Sequence, residues 1–551
     1  MPQAYNYIIV GAGSAGCLVA NRLSADPGIR VLLLEAGGSD NHPWVHLPYG
    51  YLHCIGNPRT DWMFMTEPEQ GLAGRAIRYP RGKLLGGSSS INGMIYMRGQ
   101  AQDYDGWSAS GNAGWSWAEV LQHFIRHESH YRRDDGSADE LHGAAGELRV
   151  ERQRVRWDVL DSFRDALCES GIPAVSDFNG GDNEGCGYFE VNQRRGIRQN
   201  TRKAFLKPVL HRGNLTLVMK AHATALRRNS QTGRIDEVEY LANNATHIAK
   251  ATDEVILCAG AIGTPHLLQL SGFGPASMLA GAGIPVRADI PGIGMNLQDH
   301  LQIRMIYRIA GAKTLNDMVY SWLGKLSIAT KYILWRSGPL SMSPSQLGAF
   351  TRSDRSRTRA NIEWHIQPLS LDKFGDPLHR FPAVTASPCN LQPTSRGSIR
   401  IRSPDPLVPP AISPNYLSTD EDLLVAVQSM RLTRRIMAAT SLARYNPQEL
   451  LPGAAVQTDL ELIESARHIA TTIFHPVGTC RMAPESDPMA VVDHRLRCRA
   501  LPGLRIADAS VMPLIVSGNT NAPTLMIAEK GASMVLEDRK HLDILGADGL
   551  P

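Results

Sequence analysis

Short apolar runs separated by glycine-rich or polar turns mark the start of the chain. The run at 7–10 predicts a strand, the apolar spacing over 14–24 predicts a helix, and a second run at 30–34 predicts another strand. Glycines stand between the first strand and the helix. This strand, helix, strand order is typical of a parallel α/β sheet covered by helices.

Two downstream regions extend the predicted sheet. An apolar strand begins near 253 and leads to a helix that we expect to start at Thr264-Pro265, because proline suits a first helical turn. The run 503–508 predicts a further buried strand. Over 215–257, polar and apolar residues alternate and turn residues occur at 230–233 and 243–244, which predicts a small antiparallel meander inserted into the same domain.

A second type of pattern occupies the C-terminal half. Residues 393–417 alternate as sheet strands do and include a proline-rich loop, and 321–335 predicts an amphipathic helix carrying Lys325 and Lys331. That helix is expected to pack over a domain interface, with peripheral membrane contact as the alternative. No run of 18 apolar residues occurs, so a spanning helix is not predicted.

Length and composition favour a globular protein of two domains. The 551 residues exceed what one hydrophobic core usually supports, and 43% hydrophobic with 20% charged residues is ordinary for a globular chain. The net charge of +4 comes without a basic tract, which argues against nucleic-acid binding. Eight cysteines form no C-x-x-C pair, so we expect free thiols, no metal site and, without a signal-peptide pattern, a cytoplasmic location.

The first glycine turn carries the clearest binding motif. Gly11, Gly13 and Gly16 form G-x-G-x-x-G: the first allows the tight turn, the second lets a pyrophosphate approach the backbone, and the third lets the helix lie close to the strand. Glu35 follows the second strand, where a carboxylate can accept hydrogen bonds from a ribose diol. The motif predicts a dinucleotide and leaves NAD and FAD open.

Two polar residues have both a functional and a structural interpretation. Asp508, at the end of its predicted strand, could bind ribityl or ribose hydroxyls or could cap a following helix. His475 precedes Pro476, which favours extended backbone and places the imidazole on a loop or at a strand end. An imidazole there can be a general base or a buried hydrogen-bonded residue.

Four segments resemble signatures of the glucose-methanol-choline oxidoreductase family, in its choline-dehydrogenase-like and alcohol dehydrogenase branch. They are 81–107, 260–274, 475–480 and 517–532, and the resemblance covers nearly the whole chain. Phe273 is a single apolar departure from the second signature. The resemblance implies noncovalently bound FAD, because Ile91 stands where some members attach the flavin through a histidine. It also implies a Rossmann-like FAD-binding domain with an inserted β-meander, interleaved with an α+β substrate-binding domain built on an antiparallel sheet.

The domains and the cofactor-binding residues follow from motif and resemblance together. The FAD-binding domain is predicted at 1–40, 75–108, 196–304 and 466–540, the substrate-binding domain at 41–74, 109–195 and 305–465, and a tail at 541–551. The residues predicted to bind FAD are Gly11, Gly13, Ser14, Ala15, Gly16, Glu35, Ala36, Gly86, Ser88, Asn92, Gly93, Met94, Ala223, Asp508, Ala509, Asn519, Thr520 and Asn521.

The resemblance assigns His475 as the base and Asn519 as a group that holds the substrate oxygen. Oxidation of a primary alcohol requires loss of the hydroxyl proton while a hydride moves to flavin N5, and a neutral imidazole suits that proton transfer. An asparagine cannot take the proton but can hydrogen-bond the alcohol or alkoxide. The expected function is therefore FAD-dependent oxidation of a primary alcohol, with a quinone-type molecule or oxygen as the electron acceptor.

Several alternatives accompany this prediction. Choline is one, since Glu363 could face a cationic substrate; we expect Glu363 to be solvated instead, which favours an uncharged alcohol. A hydroxynitrile lyase could use the same base, and a hydrolase built on 88–90 lacks G-x-S-x-G. Candidate pocket walls, each with a core alternative, are Trp322, Trp335, Trp364, Phe350 and Phe474.

Overall fold

The computed structural model describes residues 4–136, 139–372 and 375–547. Its α-helices are α1 (Ser14–Leu23), α2 (Pro43–His46), α3 (Tyr51–Cys54), α4 (Ala101–Ala109), α5 (Trp117–His127), α6 (Asp158–Glu169), α7 (Gly260–Leu270), α8 (Ala276–Gly281), α9 (Leu315–Tyr320), α10 (Trp322–Trp335), α11 (Asp420–Met437), α12 (Thr440–Ala443), α13 (Asp459–Ile469) and α14 (Asn521–Ala547). Its strands are β1 (Tyr5–Val10), β2 (Val31–Glu35), β3 (Glu128–His130), β4 (Leu148–Val150), β5 (Gly185–Tyr188), β6 (Gln193–Arg194), β7 (Ile197–Arg198), β8 (Leu215–Met219), β9 (His222–Arg228), β10 (Ile235–Ala242), β11 (Ala245–Leu257), β12 (Phe273–Gly274), β13 (Ala288–Asp289), β14 (Met295–Leu297), β15 (Leu301–Ile303), β16 (Met305–Arg308), β17 (Leu347–Thr351), β18 (Ile362–Gln367), β19 (Ala383–Asn390), β20 (Gly397–Arg400), β21 (Ala411–Ser413), β22 (Gln448–Leu451), β23 (Ala470–Thr472) and β24 (Leu504–Ile506).

The first sheet is the predicted nucleotide-binding sheet with its meander. Strands β8, β2, β1, β11 and β24 pair in parallel in that order, and β11 also pairs antiparallel with β10, which pairs with β9. One 13-residue strand, β11, serves both parts: its first half closes the meander and its second half lies beside β1. The turns of this meander lie at the two predicted positions.

The second sheet is antiparallel, with the order β22-β16-β19-β18-β17-β5. Short strands β15 and β23 pair with each other, and β15 also pairs with β19, so both belong to this sheet although they lie in segments assigned to the nucleotide-binding domain. Helices α6 and α11 pack against it. The predicted fold class, a Rossmann-like domain with an inserted meander interleaved with an antiparallel α+β domain, is confirmed.

Burial on both faces explains why several strands are apolar at nearly every position. Strand β2 is buried at all five positions and the last four positions of β1 are buried, as expected for parallel strands covered on both faces. Strand β18 is buried at its first five positions, so both of its faces are covered as well. The two sheets therefore carry separate hydrophobic clusters.

The start of α7 differs from the sequence prediction. The helix begins at Gly260, one turn before the expected Thr264-Pro265, and Pro265 lies in its interior. Proline cannot donate the usual hydrogen bond to the carbonyl four residues earlier, but the Ala261 carbonyl accepts one from Thr479 Oγ1 at 2.6 Å. A distant hydroxyl thus satisfies the group that the proline leaves unbonded.

The C-terminal helix α14 runs to Ala547, into the segment 541–551 predicted as a tail, and 548–551 lie outside the described residues. The predicted helix at 321–335 is present as α10. Among the described residues, no helix is both long enough and apolar enough to cross a bilayer.

Candidate active site

A cavity of about 460 Å³ lies where the carboxyl ends of β1, β2, β11 and β24 face the second sheet. The predicted site residues that line it are Gly11, Gly13, Ser14, Ala15, Glu35, Ala36, Ser88, Asn92, Gly93, Met94, Ala223, His475, Asp508, Ala509, Asn519, Thr520 and Asn521. Ligands of α/β sheets commonly bind at such carboxyl ends. Residues separated by more than five hundred positions in the sequence therefore meet around one space.

Two predicted glycines, Gly16 and Gly86, support this wall from behind. A Cβ on Gly16 would lie 1.8 Å from the Gly11 carbonyl oxygen, so its role is the close packing of helix on strand. Gly86 has φ +85° and turns the chain into the loop where Gly87 meets Gly13. A Cβ on Gly87 would lie 2.7 Å from the Gly13 Cα, so side chains would keep these two loops apart.

Glu35 is held rigidly at the end of β2. Its Oε2 accepts from the Ala12 N–H at 2.9 Å and its Oε1 from the Gly37 N–H at 2.7 Å. Burial raises the pKa of Glu35 to about 7, against the lowering effect of these two backbone donors. The carboxyl keeps lone pairs for hydroxyl groups in the cavity, as a ribose diol requires.

Asp508 is a cap and a cavity residue at once. Its Oδ2 accepts from the Gly260 N–H at 2.8 Å and from Thr264 Oγ1 at 2.6 Å, and its Oδ1 accepts from the Ser510 N–H at 2.9 Å. Burial raises the pKa of this carboxyl. Asp508 therefore caps a helix, as the structural interpretation expected, although the helix is α7 and not one that follows it. It also lines the cavity.

Helix N-termini supply the phosphate-binding character of the cavity. Helix α1 begins at Ser14 with no side-chain cap, and Ser14 Oγ donates to Asn521 Oδ1 of α14 at 2.8 Å. Both helices begin at the cavity. Free N–H groups and the positive end of a helix dipole suit a pyrophosphate, so this wall fits a dinucleotide.

A buried arginine that the sequence did not predict holds the predicted Asn92. Arg198 Nη1 donates to Asn92 Oδ1 at 2.8 Å, and the Met94 N–H donates to the same oxygen at 3.0 Å. Met94 has φ +63°, an uncommon conformation for this residue type. Next to them, Ile91 lines the cavity and has no group that could bond covalently to a flavin.

The serine cluster at 88–90 has structural partners. Ser89 Oγ donates to the Gly86 carbonyl at 2.6 Å and Ser90 Oγ to the Leu85 carbonyl at 2.8 Å, while Ser88 Oγ accepts from the Gly82 N–H at 3.2 Å. No histidine or carboxylate among the described residues bonds to any of these three hydroxyls. The contacts give no support to a hydrolase.

His475 lies just beyond β23, at a strand end as predicted, and β23 pairs antiparallel with β15. Because Leu301 pairs with Thr472, the residue before β15 and the loop after β23 are neighbours. The residue before β15 is His300, and its Nδ1 lies 3.1 Å from His475 Nδ1. The pairing of two short strands thus places two imidazoles in contact.

Hydrogen-bond partners fix the tautomer of His475. His300 Nε2 lies 3.1 Å from the Leu391 carbonyl, which only accepts, so this nitrogen carries a proton and Nδ1 of neutral His300 is an acceptor. The proton between the rings therefore belongs to His475 Nδ1. His475 Nε2 then has a free lone pair, which accepts from Asn519 Nδ2 at 3.0 Å. Nε2 is the nitrogen that can take a proton from a molecule in the cavity.

Asp299 fixes the backbone around this imidazole. Its Oδ1 accepts from the His475 N–H at 2.7 Å, and its Oδ2 accepts from the hydroxyls of Tyr79, Tyr416 and Thr472. Neither Asp299 nor His300 was predicted from the sequence. The only signal was the adjacent acid and histidine, whose importance depends on the β15–β23 pairing.

The electrostatic environment keeps His475 neutral. Burial lowers its pKa well below the ordinary value, and the neighbouring His300, His365 and Arg81 lower it further. Burial also lowers the pKa of His300. At neutral pH both rings are therefore uncharged, in agreement with the tautomers deduced from their partners.

The second sheet contributes a polar wall on one face of β18. His365 and Gln367 line the cavity there, and Gln302 of β15 joins them. Glu363 was expected to be solvated, which is wrong: its exposed fraction is 0%, because both faces of β18 are covered. Glu363 Oε1 lies 3.3 Å from His365 Nε2, and Glu363 does not line the cavity.

Only one of the five aromatic wall candidates lines the cavity, namely Phe474. Trp364 and Phe350 are buried in the core, and Trp322 and Trp335 are exposed on α10. Two aromatic residues that were not predicted, Trp62 and Phe64, stack with ring centroids 5.6 Å apart in the cavity wall. Trp62 also contacts His222, the neighbour of the predicted Ala223.

Comparison with known proteins gives a consistent set of relatives. Two models described as GMC oxidoreductase match residues 5–302 and 393–528. An alcohol dehydrogenase (acceptor) of Pseudomonas putida is 41% identical over 544 residues, 98% of this chain and 97% of that protein. The mitochondrial choline dehydrogenase of Homo sapiens is 39% identical over 96% of this chain and 89% of its own length. The crystal structure of pyridoxine 4-oxidase from Mesorbium loti superposes with a TM-score of 0.86 at 32% identity, covering 97% of this chain and 99% of that one.

Proposed function

The chain belongs to the GMC oxidoreductase family, and from that premise we propose that it is an FAD-dependent dehydrogenase that oxidises a primary alcohol to its aldehyde. The observation that carries the proposal is the 3.0 Å contact in the cavity between Asn519 Nδ2 and His475 Nε2, the nitrogen to which the partners of the ring leave a lone pair. A neutral base next to a hydrogen-bonding amide is what proton removal from an alcohol requires.

The cavity wall fits FAD at its nucleotide side. Glu35 would bind the ribose, the N–H groups at the starts of α1 and α14 would hold the pyrophosphate, and the loop at 91–94 would lie along the flavin. The glycines at 13 and 87 leave the space that side chains would fill. Bound FAD supplies the acceptor for the hydride of the alcohol carbon. With Ile91 in the wall, the cofactor is held without a covalent bond.

On the substrate side, His475 and Asn519 act on the hydroxyl group of the alcohol. His475 Nε2 accepts the hydroxyl proton, and Asn519 Nδ2, which donates to that nitrogen in this structure, is placed to donate to the alcohol oxygen instead. Asn519 Oδ1 is buried and has no hydrogen-bond partner among the described residues, so the amide has an unused acceptor as well. Both groups act at the same oxygen of the substrate.

The composition of the wall supports an uncharged alcohol over choline. Among the described residues that line the cavity, the carboxylates are Glu35 and Asp508, both on the side that fits the cofactor. The wall near His475 combines His365 and the amides Gln302 and Gln367 with the apolar Phe474, and Arg81 brings a positive charge to it. A quaternary ammonium ion would meet no carboxylate among the described residues of that wall.

Anaerobic absorbance tests the function directly. The purified yellow holoenzyme is mixed without oxygen with aliphatic alcohols, aromatic alcohols and choline, and we expect the flavin band to disappear with primary alcohols. Admission of air then separates acceptors: slow recovery with rapid turnover of a quinone indicates a dehydrogenase, and rapid recovery an oxidase. Failure of every alcohol to bleach a fully loaded flavin would contradict the proposal and favour a hydroxynitrile lyase.

The low pKa of His475 predicts the pH dependence of the reaction. Because burial and the positive charge of Arg81 disfavour the protonated ring, kcat/KM should be constant from neutral pH upward through the stable range. It should fall with unit slope only below the ordinary histidine pKa of about 6.5, where Nε2 becomes protonated. A profile of kcat/KM against pH measures this, and a falling limb centred above neutrality would contradict the assignment of the base.

The cysteines support a reducing compartment. All eight lie in the described part of the chain and are unpaired thiols, and seven of them are buried. We therefore propose a cytoplasmic location.

A further inference from the structure

Helix α10 presents an unusual apolar surface to solvent. Of the eighteen large apolar side chains that are exposed in the described chain, seven lie between Tyr320 and Trp335. Trp322 and Ile333 are each 72% exposed, and only Ile328 and Tyr332 of this helix are buried. Six of these seven groups lie on α10 and the seventh ends α9, whereas single exposed apolar residues are normal on any protein.

This exposure belongs to a helix that is firmly attached. Tyr332 Oη donates to the Gly196 carbonyl at 2.9 Å, and Arg154 donates to the carbonyls of Trp335 and Arg336 at the helix end. Near the other end, a Cβ on Gly324 would lie 2.2 Å from the Met318 carbonyl oxygen, so α10 lies directly against α9. A narrow stripe therefore anchors the helix and leaves its apolar side outward.

The charged side chains of α10 are all positive. Lys325 and Lys331 are exposed, Arg336 follows at the C-terminal end, and 322–335 contains no aspartate or glutamate. Arg154 and Arg195 are also exposed, and Gly196, which follows Arg195, packs against Arg336. We define the α10 surface as the exposed apolar residues of 320–335 together with these five cations.

We propose that the α10 surface docks on a lipid bilayer that carries anionic headgroups. Tryptophan rings with apolar neighbours suit the boundary between headgroups and acyl chains, and Lys and Arg extend from that depth toward lipid phosphates. A surface that combines exposed apolar area with positive charge binds an anionic membrane more strongly than a neutral one. The helix lies in the interface and does not cross it.

Charge argues against a second copy of the chain as the occupant. In a twofold dimer the same patch occurs on both partners, so α10 would face α10. Lys325, Lys331 and Arg336 would then oppose their own copies, with no acidic side chain on the helix to neutralise them. Anionic lipid supplies the missing negative charge.

Docking there would bring the cavity close to the membrane. The chain continues from α10 through a turn at Pro339–Ser341 to Pro344 and Ser345, which line the cavity. An apolar alcohol or a quinone-type acceptor dissolved in the bilayer would then reach the protein on this side. The docking itself depends on neither substrate and is tested without turnover.

Vesicle flotation of the holoenzyme tests the inference. We expect the protein to float with phosphatidylcholine vesicles that contain phosphatidylglycerol and to bind pure phosphatidylcholine much more weakly. The double variant Trp322→Ser/Trp335→Ser should lose on the order of tenfold or more in vesicle affinity. Lys325→Glu/Lys331→Glu should abolish the preference for anionic vesicles.

The matched control is Leu460→Ser, which removes another exposed leucine, 79% exposed, from the acidic start of α13. It should bind vesicles as the parent does, and all variants should keep their flavin content and dye-linked activity. Equal vesicle binding by the tryptophan variant and the parent would overturn the proposal. Failure of the parent to bind vesicles would overturn it too. If the parent instead self-associates in sedimentation and the tryptophan variant does not, the surface is a contact between copies of the chain.

Discussion

Replacement of His475 by alanine is expected to lower kcat by about 10³-fold, the range found for loss of a general base. Nε2 of His475 is the one nitrogen of the His300–His475 pair with a lone pair toward the cavity. His300 is not expected to take over, because it does not line the cavity and its free lone pair, on Nδ1, points at the position of the His475 ring. KM should change far less than kcat, since Asn519 still binds the alcohol oxygen.

The rate of anaerobic flavin reduction by saturating alcohol measures this effect on the chemical step. His468→Ala is the control, because His468 is exposed on α13, away from the cavity, and its Nε2 lies 3.0 Å from Glu464 Oε1. The flavin content and melting temperature of His475→Ala should match the parent. A variant that is fully loaded with flavin and reduced within tenfold of the parental rate would show that the base lies elsewhere.

Local pattern was enough to predict the nucleotide-binding half of the fold. The β1–α1–β2 unit depends on neighbouring residues only, and the observed Tyr5–Val10, Ser14–Leu23 and Val31–Glu35 differ from prediction by one or two residues at their ends. Helix α7 was misplaced by one turn because its start is capped by Asp508, which is 248 residues away in the sequence. No local pattern contains that contact.

The candidate site also contains residues that local motifs predict and residues that only the tertiary structure brings together. Motif residues such as Gly13 and Glu35 lie in the cavity wall because the geometry of a glycine turn depends on backbone that is contiguous in sequence. Glu363 was wrongly expected to be solvated, since alternation along β18 cannot reveal that parts of the chain distant in sequence cover both faces of this strand. His300 acquires its role only when β15 pairs with β23.

The buried pair of imidazoles leads to a second large effect. Replacement of His300 by leucine removes the acceptor of the His475 Nδ1 proton and leaves that N–H unpaired in a buried site. The ring then gains by moving its proton to Nε2, where the Asn519 amide can turn its Oδ1 to accept it. The lone pair that takes the substrate proton is lost in this tautomer.

We therefore expect His300→Leu to lower kcat on the order of 10²-fold, a cost typical of a misplaced catalytic group, with KM and flavin content close to the parental values. His300→Asn is the matched variant, because Asn Oδ1 can occupy the position of the imidazole Nδ1 and accept from His475. It should recover most of the loss, although it gives up the hydrogen bond to the Leu391 carbonyl. Steady-state kinetics and melting temperatures of both variants separate the role of His300 as the acceptor for His475 from its role in packing. Equal losses of kcat in the leucine and asparagine variants would mean that His300 supports only the packing, and an unchanged kcat in His300→Leu would mean that His475 keeps its tautomer without it.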